Sequence, residues 1–344
     1  MSRAPSSTLP SSQQAGAVVT AAPAWLVWTA LWIVYLVWGS TYLAIRVMVE
    51  TVPPLLGAGV RFAVAGAVML AVLAVRRSVR PTRAQLLSAL LVGLLLPGAN
   101  AVVSVAEQEV PSAMAALLIA SVPLWVLLMR RGTGEPVSRA GIAAVLVGFA
   151  GVALLLKPGE QSGDATLLGL GAVVVAAIMW ASGSFASQRI SLPRDPLVST
   201  GWQMLLGGLV ISVAGLVSGE AGHVDFQAFS ARSVLALTYL IAIGSWVAFT
   251  AYAWLLQNAP ISRVATYAYV NPAVAIVLGW LILDEVITPI TLVGAAIIVV
   301  SVALVVRTES TVRAAPRHGD PAPAHVTRPS RGGAQRPRTR SRSG

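Results

Sequence analysis

The chain of 344 residues contains no cysteine, so it can form neither a disulfide nor a thiolate metal site, and it has no cysteine nucleophile. Charged residues make up only 11% of the sequence, less than half of the roughly one quarter that is usual in soluble domains. The three histidines lie outside the apolar runs, and no glycine-rich phosphate loop is present. We therefore expect no cofactor, no metal and no enzymatic activity.

Apolar sequence dominates instead, with 56% hydrophobic residues and a mean hydropathy of +0.77. The apolar runs are long and continuous, whereas the strands of a membrane barrel would alternate apolar and polar residues over about ten positions. The sequence predicts an all-α integral membrane protein with ten transmembrane helices. The predicted spans are 24–47, 54–75, 84–106, 110–129, 140–156, 166–188, 196–218, 233–256, 261–283 and 286–306.

The second half of the chain repeats the first. Five spans in residues 24–157 are followed by five more in residues 166–306, and rare residues recur at a fixed distance. The pairs 142 positions apart are Trp38 and Trp180, Ser40 and Ser182, Pro54 and Pro196, and Gly66 and Gly208. The pairs 149 positions apart are Gln108 and Gln257, Pro111 and Pro260, Ala116 and Ala265, and Pro123 and Pro272. Because five is odd, the copies enter the membrane from opposite sides, which predicts inverted repeats with a binding site between them.

Basic residues indicate the orientation, because lysine and arginine near helix ends are retained on the cytoplasmic side. Loops on one side carry Arg76, Arg77, Arg80, Arg83, Arg130, Arg131, Arg139, Arg189, Arg194 and Arg263. The opposite loops hold only Lys157 and Arg232, with Arg46 near a helix end. The sequence thus predicts a multi-pass protein of the plasma (inner) membrane with both termini in the cytoplasm.

The two ends of the chain are polar and are predicted to be disordered. Residues 1–23 form a tail rich in serine, alanine and glutamine, and residues 307–344 carry nine of the 24 basic residues. The C-terminal tail either attracts anionic lipid headgroups or is a solvated segment that reinforces the topology. Nothing else in the sequence favours nucleic-acid binding.

Polar residues inside apolar spans are costly in lipid and normally face the interior of the helix bundle or a water-filled cavity. Trp38, Tyr42 and Arg46 share one face of the first span, with Thr41 beside them, and Trp180 and Ser184 repeat that spacing in the sixth span. The two faces predict opposite walls of a central cavity. Membrane-interface anchoring of the tryptophans is the alternative.

Arg61 lies about seven residues into the second span, and its counterpart in the repeat is Gln203. A charge at that depth requires compensation. Three interpretations stay open: Arg61 contacts water and an anionic ligand, pairs with Glu50 or Glu107, or extends to the outer surface.

Further polar groups lie in later spans. Asn100 follows Pro97, which is expected to bend the third span, whereas the repeat has apolar residues at the equivalent places. Tyr252, Tyr267 and Asn271 add hydrogen-bonding groups, for which helix–helix packing is the alternative role. Glu107 ends the third span, where it either binds a proton or an amine or, the favoured interpretation, is solvated in a loop.

Four segments together resemble the EamA family of the drug/metabolite transporter superfamily: WGSTYLAIR at 38–46, PPLLGAGVRFAVAGAVML at 53–70, VAEQEVPSAMAALLIASVPLW at 105–125 and ATYAYVNPAVAIVLGWLILDE at 265–285. The combination of WGSTY, VRF and AYVNP is most similar to the YedA-like group of inner-membrane exporters. The resemblance implies ten helices in two inverted five-helix bundles. The positions that match family motifs are Trp38, Ser40, Thr41, Arg61, Glu107, Tyr267 and Asn271.

The sequence and the resemblance together predict a secondary transporter that exports small metabolites, amino acids or drug-like amphiphiles by alternating access. Its partners would be the lipid bilayer, a small-molecule substrate and, if transport is coupled, a proton. The alternatives are a nucleotide-sugar or phosphate-ester exchanger of the same superfamily and a membrane sensor or assembly protein that does not transport. Substrate, direction, coupling ion and the choice between monomer and homodimer are not determined.

Overall fold

The computed structural model describes residues 22–76, 79–156, 165–259, 261–264 and 266–314, and within these ranges the regular structure is entirely helical. The first half contains α1 (Ala24–Met48), α2 (Pro54–Ala74), α3 (Arg83–Ala106), α4 (Ser112–Ile119), α5 (Val122–Gly132) and α6 (Arg139–Leu155). The second half contains α7 (Leu167–Ser187), α8 (Pro196–Val217), a 3₁₀ turn (Glu220–His223), α9 (Ala231–Tyr239), a π-helical segment (Leu240–Val247), α10 (Ala248–Asn258), α11 (Ile261–Val264), α12 (Tyr267–Leu283) and α13 (Pro289–Ala314).

Within the described ranges, eight helical stretches are long and apolar enough to cross a membrane, and Arg139–Leu155 and Tyr267–Leu283 are shorter apolar helices. Each predicted span overlaps one of these ten stretches. Three of the spans are not single regular α-helices. The fourth is divided between α4 and α5, the eighth contains the π-helical segment, and the ninth begins with the separate turn α11.

Helix starts coincide with capping residues in the loops. Thr82 forms a capping box with Gln85, and the side chains of Ser138 and Thr166 each accept a hydrogen bond from a backbone N–H at the start of α6 and α7. Asp195 caps α8 in the same way, with Pro196 in the first turn, where its missing N–H costs nothing. Local sequence therefore determines where these helices begin.

Two acids of the second half cap helices of the first. The carboxylate of Glu220 accepts hydrogen bonds from the backbone N–H groups of Leu55 (3.0 Å) and Leu56 (2.8 Å) at the start of α2. The carboxylate of Glu285 accepts from Ser112 (2.7 Å) and Ala113 at the start of α4. Helix N-termini carry partial positive charge, so these contacts stabilise the junction between the halves.

The α2–α8 interface is built from glycines in reciprocal positions. A Cβ on Gly66 would lie 2.4 Å from the backbone nitrogen of Leu205, and a Cβ on Gly208 would lie 2.2 Å from that of Ala63. Gly66 and Gly208 are 142 positions apart in the sequence, and so are Ala63 and Leu205. The two helices therefore approach through the same contact made twice, with the partners exchanged.

The first helix of each half packs against helices of the other half. Helix α1 contacts α10 and α12 of the second half, and α7 contacts α3, α4 and α5 of the first. A core of buried aliphatic side chains joins α4, α5 and α6 to α7 and α13, with Leu117, Leu124 and Ile298 among its fully enclosed members. The halves therefore form one interlocked bundle.

The end of α13 differs from the prediction. Residues 307–314, expected to begin a disordered tail, continue the helix to Ala314. Extending an existing helix costs much less than starting one, so polar residues without proline can be added to the apolar segment before them. The remainder of the predicted tails, residues 1–21 and 315–344, lies outside the described residues.

Candidate functional site

A cavity lies at the centre of the bundle, with a volume of about 90 Å³ open to the centre of a water molecule. One water needs about 10–15 Å³ on this measure, so the cavity holds roughly six waters or one small organic molecule. Both halves contribute to its wall. The lining residues include Trp38, Thr41 and Tyr42 of α1, Arg61 of α2, Asn100 of α3, Trp180 of α7, Phe249 of α10, and Tyr267 and Asn271 of α12.

Helix ends reach this cavity from both halves. Ile119 ends α4 and Val122 begins α5, and both line the cavity together with Pro123. On the other side, Tyr267 begins α12, and Asn271 and Pro272 follow it along the wall. Pro123 lies in the first turn of α5, whereas its counterpart Pro272 lies inside α12. Interrupted helices around a central cavity recur in secondary transporters, because the broken backbone is exposed to the cavity and not to lipid.

Aromatic rings form one end of the cavity. The ring centroid of Trp38 lies 5.1 Å from that of Phe249, 5.0 Å from Tyr252 and 5.2 Å from Tyr267. Tyr252 and Tyr267 are themselves 5.8 Å apart in an edge-to-face arrangement. Such pairs are favoured by the ring quadrupoles and contribute about 0.5–1.5 kcal/mol each beyond area burial. The cluster holds Trp38 in a defined orientation at the cavity.

Asn271 connects this wall to α1. When its amide is oriented to satisfy its neighbours, the nitrogen donates to the carbonyl oxygens of Tyr267 (3.2 Å) and Tyr35 (3.3 Å). Only 8% of Asn271 is exposed, so these bonds offset the cost of burying the amide. The residue therefore joins α12 to α1 beside the cavity.

Arg61 is almost fully buried, with 3% of its surface exposed. Its Nε donates to Ser245 Oγ at 3.0 Å, and its guanidinium carbon lies 4.6 Å from the ring centroid of Phe62. Extension to the outer surface is excluded by this burial, and Glu50 pairs instead with Arg232 at 3.8 Å. Among the side chains that the structure describes, no carboxylate forms an ion pair with Arg61. Its guanidinium thus faces the cavity without a counter-ion.

Ser245 is a functional candidate that sequence reasoning missed. It lies in the π-helical segment Leu240–Val247, is fully buried and accepts the hydrogen bond of Arg61. A π-helix turns its residues through a smaller angle than an α-helix, so the regular periodicity used for the prediction does not identify its inward face. The only signal was that Ser245 is polar within an apolar span.

The interpretation of Glu107 as a solvated loop residue is wrong. The residue caps the C-terminus of α3 and has no exposed surface. Its backbone carbonyl accepts a hydrogen bond from Arg46 Nη1, whereas both carboxyl oxygens are buried and have no hydrogen-bond partner among the described residues. Glu107 lies just beyond the span Arg83–Ala106, and burial raises the pKa of its carboxyl well above the ordinary value, with the charge of Glu285 as the next cause.

Four other predicted site residues do not line the cavity. Ser40 shares a hydrogen bond of 2.6 Å with the Tyr239 hydroxyl, and Tyr252 lies behind Trp38 in the aromatic cluster. Gln203 donates to Ser199 Oγ at 2.8 Å and lines a smaller adjoining pocket. The carbonyl of Ser184 accepts hydrogen bonds from later residues of α7 and the loop after it. The helix face on which a residue lies was therefore not enough to distinguish these positions from those that line the cavity.

A central cavity lined by both halves of a multi-pass helical membrane protein is the architecture of a membrane transporter. Comparison with known proteins identifies the family. The chain belongs to the EamA-like transporter family, whose model matches residues 24–157 and again residues 167–307. The resemblance read from the sequence motifs is thereby confirmed.

Individual relatives agree with the family. The chain is 38% identical to the uncharacterized inner membrane transporter YedA of Escherichia coli K12, over 80% of this chain and 89% of that protein. It is 25% identical to a probable amino-acid metabolite efflux pump of the same organism, over 77% and 90%. A solved crystal structure matches with a TM-score of 0.56 and 21% identity, covering 82% of this chain and 96% of that chain, which supports the fold alone.

Proposed function

We propose that this protein is a secondary transporter that exports small metabolites, amino acids or drug-like amphiphiles across the plasma (inner) membrane by alternating access. The observation that carries the proposal is the central cavity, because residues of both halves line it and helices of both halves are interrupted beside it. The family supports transport as the general activity. The names of the relatives support the inner membrane and efflux.

Ten spans in two inverted repeats are part of this proposal. The reciprocal contacts of Gly66 and Gly208 are those expected of a two-fold relation between α2 and α8. The family model also matches the chain twice. Five spans per copy would place the copies in opposite orientations, with both termini in the cytoplasm according to the arginine-rich loops.

The wall of the cavity favours a neutral, zwitterionic or hydrophobic substrate. Trp38, Trp180 and Tyr267 offer rings for apolar groups, while Asn100 and Asn271 offer amides for hydrogen bonds. Arg61 is the only charged side chain among the lining residues of the described structure, and it would bind a carboxylate. Thr41 and Tyr42 add hydroxyl groups on the same wall. An amino acid presents the matching combination of a carboxylate and an apolar group.

Alternating access would use the interrupted helices. The residues between α4 and α5, and Thr266 before α12, are the places where the outer and inner parts of a span can change their relative angle. Hinge movements are absorbed by a few residues at the ends of such elements. Each half thus supplies one interrupted span beside the substrate.

The alternative functions would require different residues in the cavity wall. A nucleotide-sugar or phosphate-ester exchanger would need several cations to bind its phosphates, and the lining residues provide Arg61 alone. A membrane sensor or assembly protein would bind a partner and show no flux. Both are therefore outcomes of the same transport experiment.

The test uses purified protein in liposomes and a mixture of radiolabelled amino acids with neutral and cationic drugs. We expect saturable flux, reduced about tenfold or more in Trp38→Ala, which corresponds to at least 1.4 kcal/mol of lost substrate interaction. The matched control is Trp28→Ala, since Trp28 is on the same helix but half exposed on its outer surface. Equal flux in both variants would remove the cavity from the transport route, and no flux from folded wild-type protein would contradict transport of these substrates.

A further inference from the structure

The region around Glu107 contains more unpaired polar groups than any role in packing requires. Within the part of the chain that the structure describes, both carboxyl oxygens of Glu107 are fully buried without a hydrogen-bond donor, and the hydroxyl of Ser112 is also buried without a partner. An ionised carboxylate in such a place would lose its hydration without compensation, which is strongly unfavourable. A neutral, protonated carboxyl avoids most of that cost.

The charged and titratable groups that face Glu107 come from three elements. They are Tyr42 and Arg46 of α1, Arg61 of α2 and Glu285 after α12. Glu285 is held by two backbone N–H groups at the start of α4, which stabilise its negative charge. Arg46 donates to the backbone carbonyl of Glu107, not to its carboxyl group. Glu285, held in this way, therefore opposes a second negative charge, and among the described side chains neither arginine bonds to the Glu107 carboxyl.

Two of these groups also line the cavity. Tyr42 and Arg61 each contribute to its wall and each interact electrostatically with Glu107. Arg61 donates its Nε hydrogen bond to Ser245 in the π-helical segment. This one side chain therefore connects the cavity wall, the π-helical segment and the surroundings of Glu107. A charge change at Glu107 would therefore be transmitted to the cavity wall.

We propose that Glu107 is a proton-binding site and that Arg61 turns from Ser245 toward the Glu107 carboxylate when the proton leaves. With the proton bound, Arg61 keeps the hydrogen bond to Ser245 that this structure shows, so it is available to a substrate carboxylate and holds the π-helical segment. When the proton is released, the guanidinium neutralises the Glu107 carboxylate. It is then no longer available to the substrate carboxylate or to the π-helical segment. This inference rests on the proposed transport function and assigns its coupling ion and the residue that binds it.

The first test needs no substrate. Infrared spectroscopy of purified protein in lipid detects the carbonyl stretch of a protonated carboxyl, and we expect such a band at neutral pH in the wild type. It should be absent in Glu107→Gln and retained in Glu109→Gln. Glu109 is the matched control, because it lies two residues away but is exposed and bonded to Thr166. An unchanged band in Glu107→Gln would overturn the proposal.

The partner exchange of Arg61 has its own readout in the titration midpoint of this band. Arg61→Gln removes the cation that stabilises the carboxylate, so the midpoint should move to higher pH. Ser245→Ala removes the competing acceptor, so the midpoint should move to lower pH. Midpoints that stay at the wild-type value in both variants would contradict the exchange. The shift in Ser245→Ala is the decisive one, because loss of the Arg61 charge would raise the midpoint even without a change of partner.

Transport then separates this proposal from the general function. With the mixture of radiolabelled amino acids, a pH gradient should accelerate wild-type flux but leave Glu107→Gln unaffected, while exchange at equal concentrations continues in both proteins. A gradient effect that persists in Glu107→Gln would overturn the coupling role. If wild-type protein showed no exchange, the proposed function would fail with this panel, and the infrared measurements would still decide whether Glu107 binds the proton.

Discussion

The two copies of the third predicted span depart from regular α-helical hydrogen bonding at the same place by different means. In the first half Pro97 lies within α3, where it lacks the N–H that would bond to the carbonyl of Gly93. In the second half, residue 246 stands at the equivalent position, and the π-helical segment Leu240–Val247 contains it. The sequence predicted a bend at Pro97 and did not predict the π-helical segment. The two halves therefore share the position of the departure but not the residue that causes it.

The consequence is a cavity with unlike walls. Asn100 and Phe249 are 149 positions apart, so they are equivalent in the repeat, and both line the cavity. One wall offers an amide and the other an aromatic ring. By contrast, the α2–α8 interface makes the same glycine contact twice. The α2–α8 interface is symmetric in these contacts and the cavity is not, which is the arrangement expected if two matched parts move around an asymmetric substrate.

The symmetric interface should give the largest effect. Gly208→Leu and Gly66→Leu each place a side chain within 2.4 Å of a backbone nitrogen that cannot move without separating α2 from α8. We expect both variants to lose folded, monodisperse protein, measured by size-exclusion chromatography and thermal unfolding. Gly171→Leu is the matched control, since a helical Gly171 has open space around its Cβ position. If one glycine tolerated leucine and the other did not, the reciprocity of the interface would be disproved.

Substitutions that change the two unlike walls of the cavity should have an intermediate effect. Asn100→Phe makes both walls aromatic and fills much of a cavity of about 90 Å³, so amino-acid flux should fall about tenfold or more while the protein stays folded. Phe249→Asn should have a smaller effect on flux and lose about 1 kcal/mol of contact with Trp38. Asn258→Phe, at an exposed position of α10, serves as control. Equal losses in all three variants would show that the asymmetry of the wall does not matter.

The smallest effect is expected where loops join helix ends. Glu135 accepts a hydrogen bond from Arg130 Nε at 2.8 Å and another from Arg189, and these contacts hold the pKa of its carboxyl below the ordinary value. Because that pKa is lowered by folding, the stabilisation is present above the ordinary glutamate value of about 4.3 and disappears as the pH falls through the lowered value.

Glu135→Gln should therefore lower the unfolding temperature at pH 7 by about 1–2 °C, and the difference from wild type should vanish in acid. The midpoint is followed by tryptophan fluorescence. Glu50→Gln tests the opposite end of the bundle, where Glu50 lies 3.8 Å from Arg232 and should matter less. A larger effect at Glu50, or a difference that grows in acid, would contradict this ranking of the two ends.

The sequence located the helices and several residues that lie near one another in the structure. Trp38, Trp180, Tyr267 and Asn271 were predicted to bind substrate, and the structure places all four at the cavity. Ser40 was predicted with them, and the structure places its hydroxyl against Tyr239 on a neighbouring helix. Periodicity identifies the polar face of a helix, but that face is wide enough to meet both a cavity and another helix.

The sequence by itself determined that the chain is helical and membrane-embedded, because the thickness of the bilayer requires long apolar segments whatever the fold. It also determined the repeat, since recurring residues at constant distances are a property of the sequence alone. Only the tertiary structure decided that Glu107 is enclosed, that Ser245 meets Arg61 and that the walls of the cavity differ. These facts depend on how the chain folds back after α3 and on local departures from α-helical geometry, and both are set by contacts between segments far apart in the sequence.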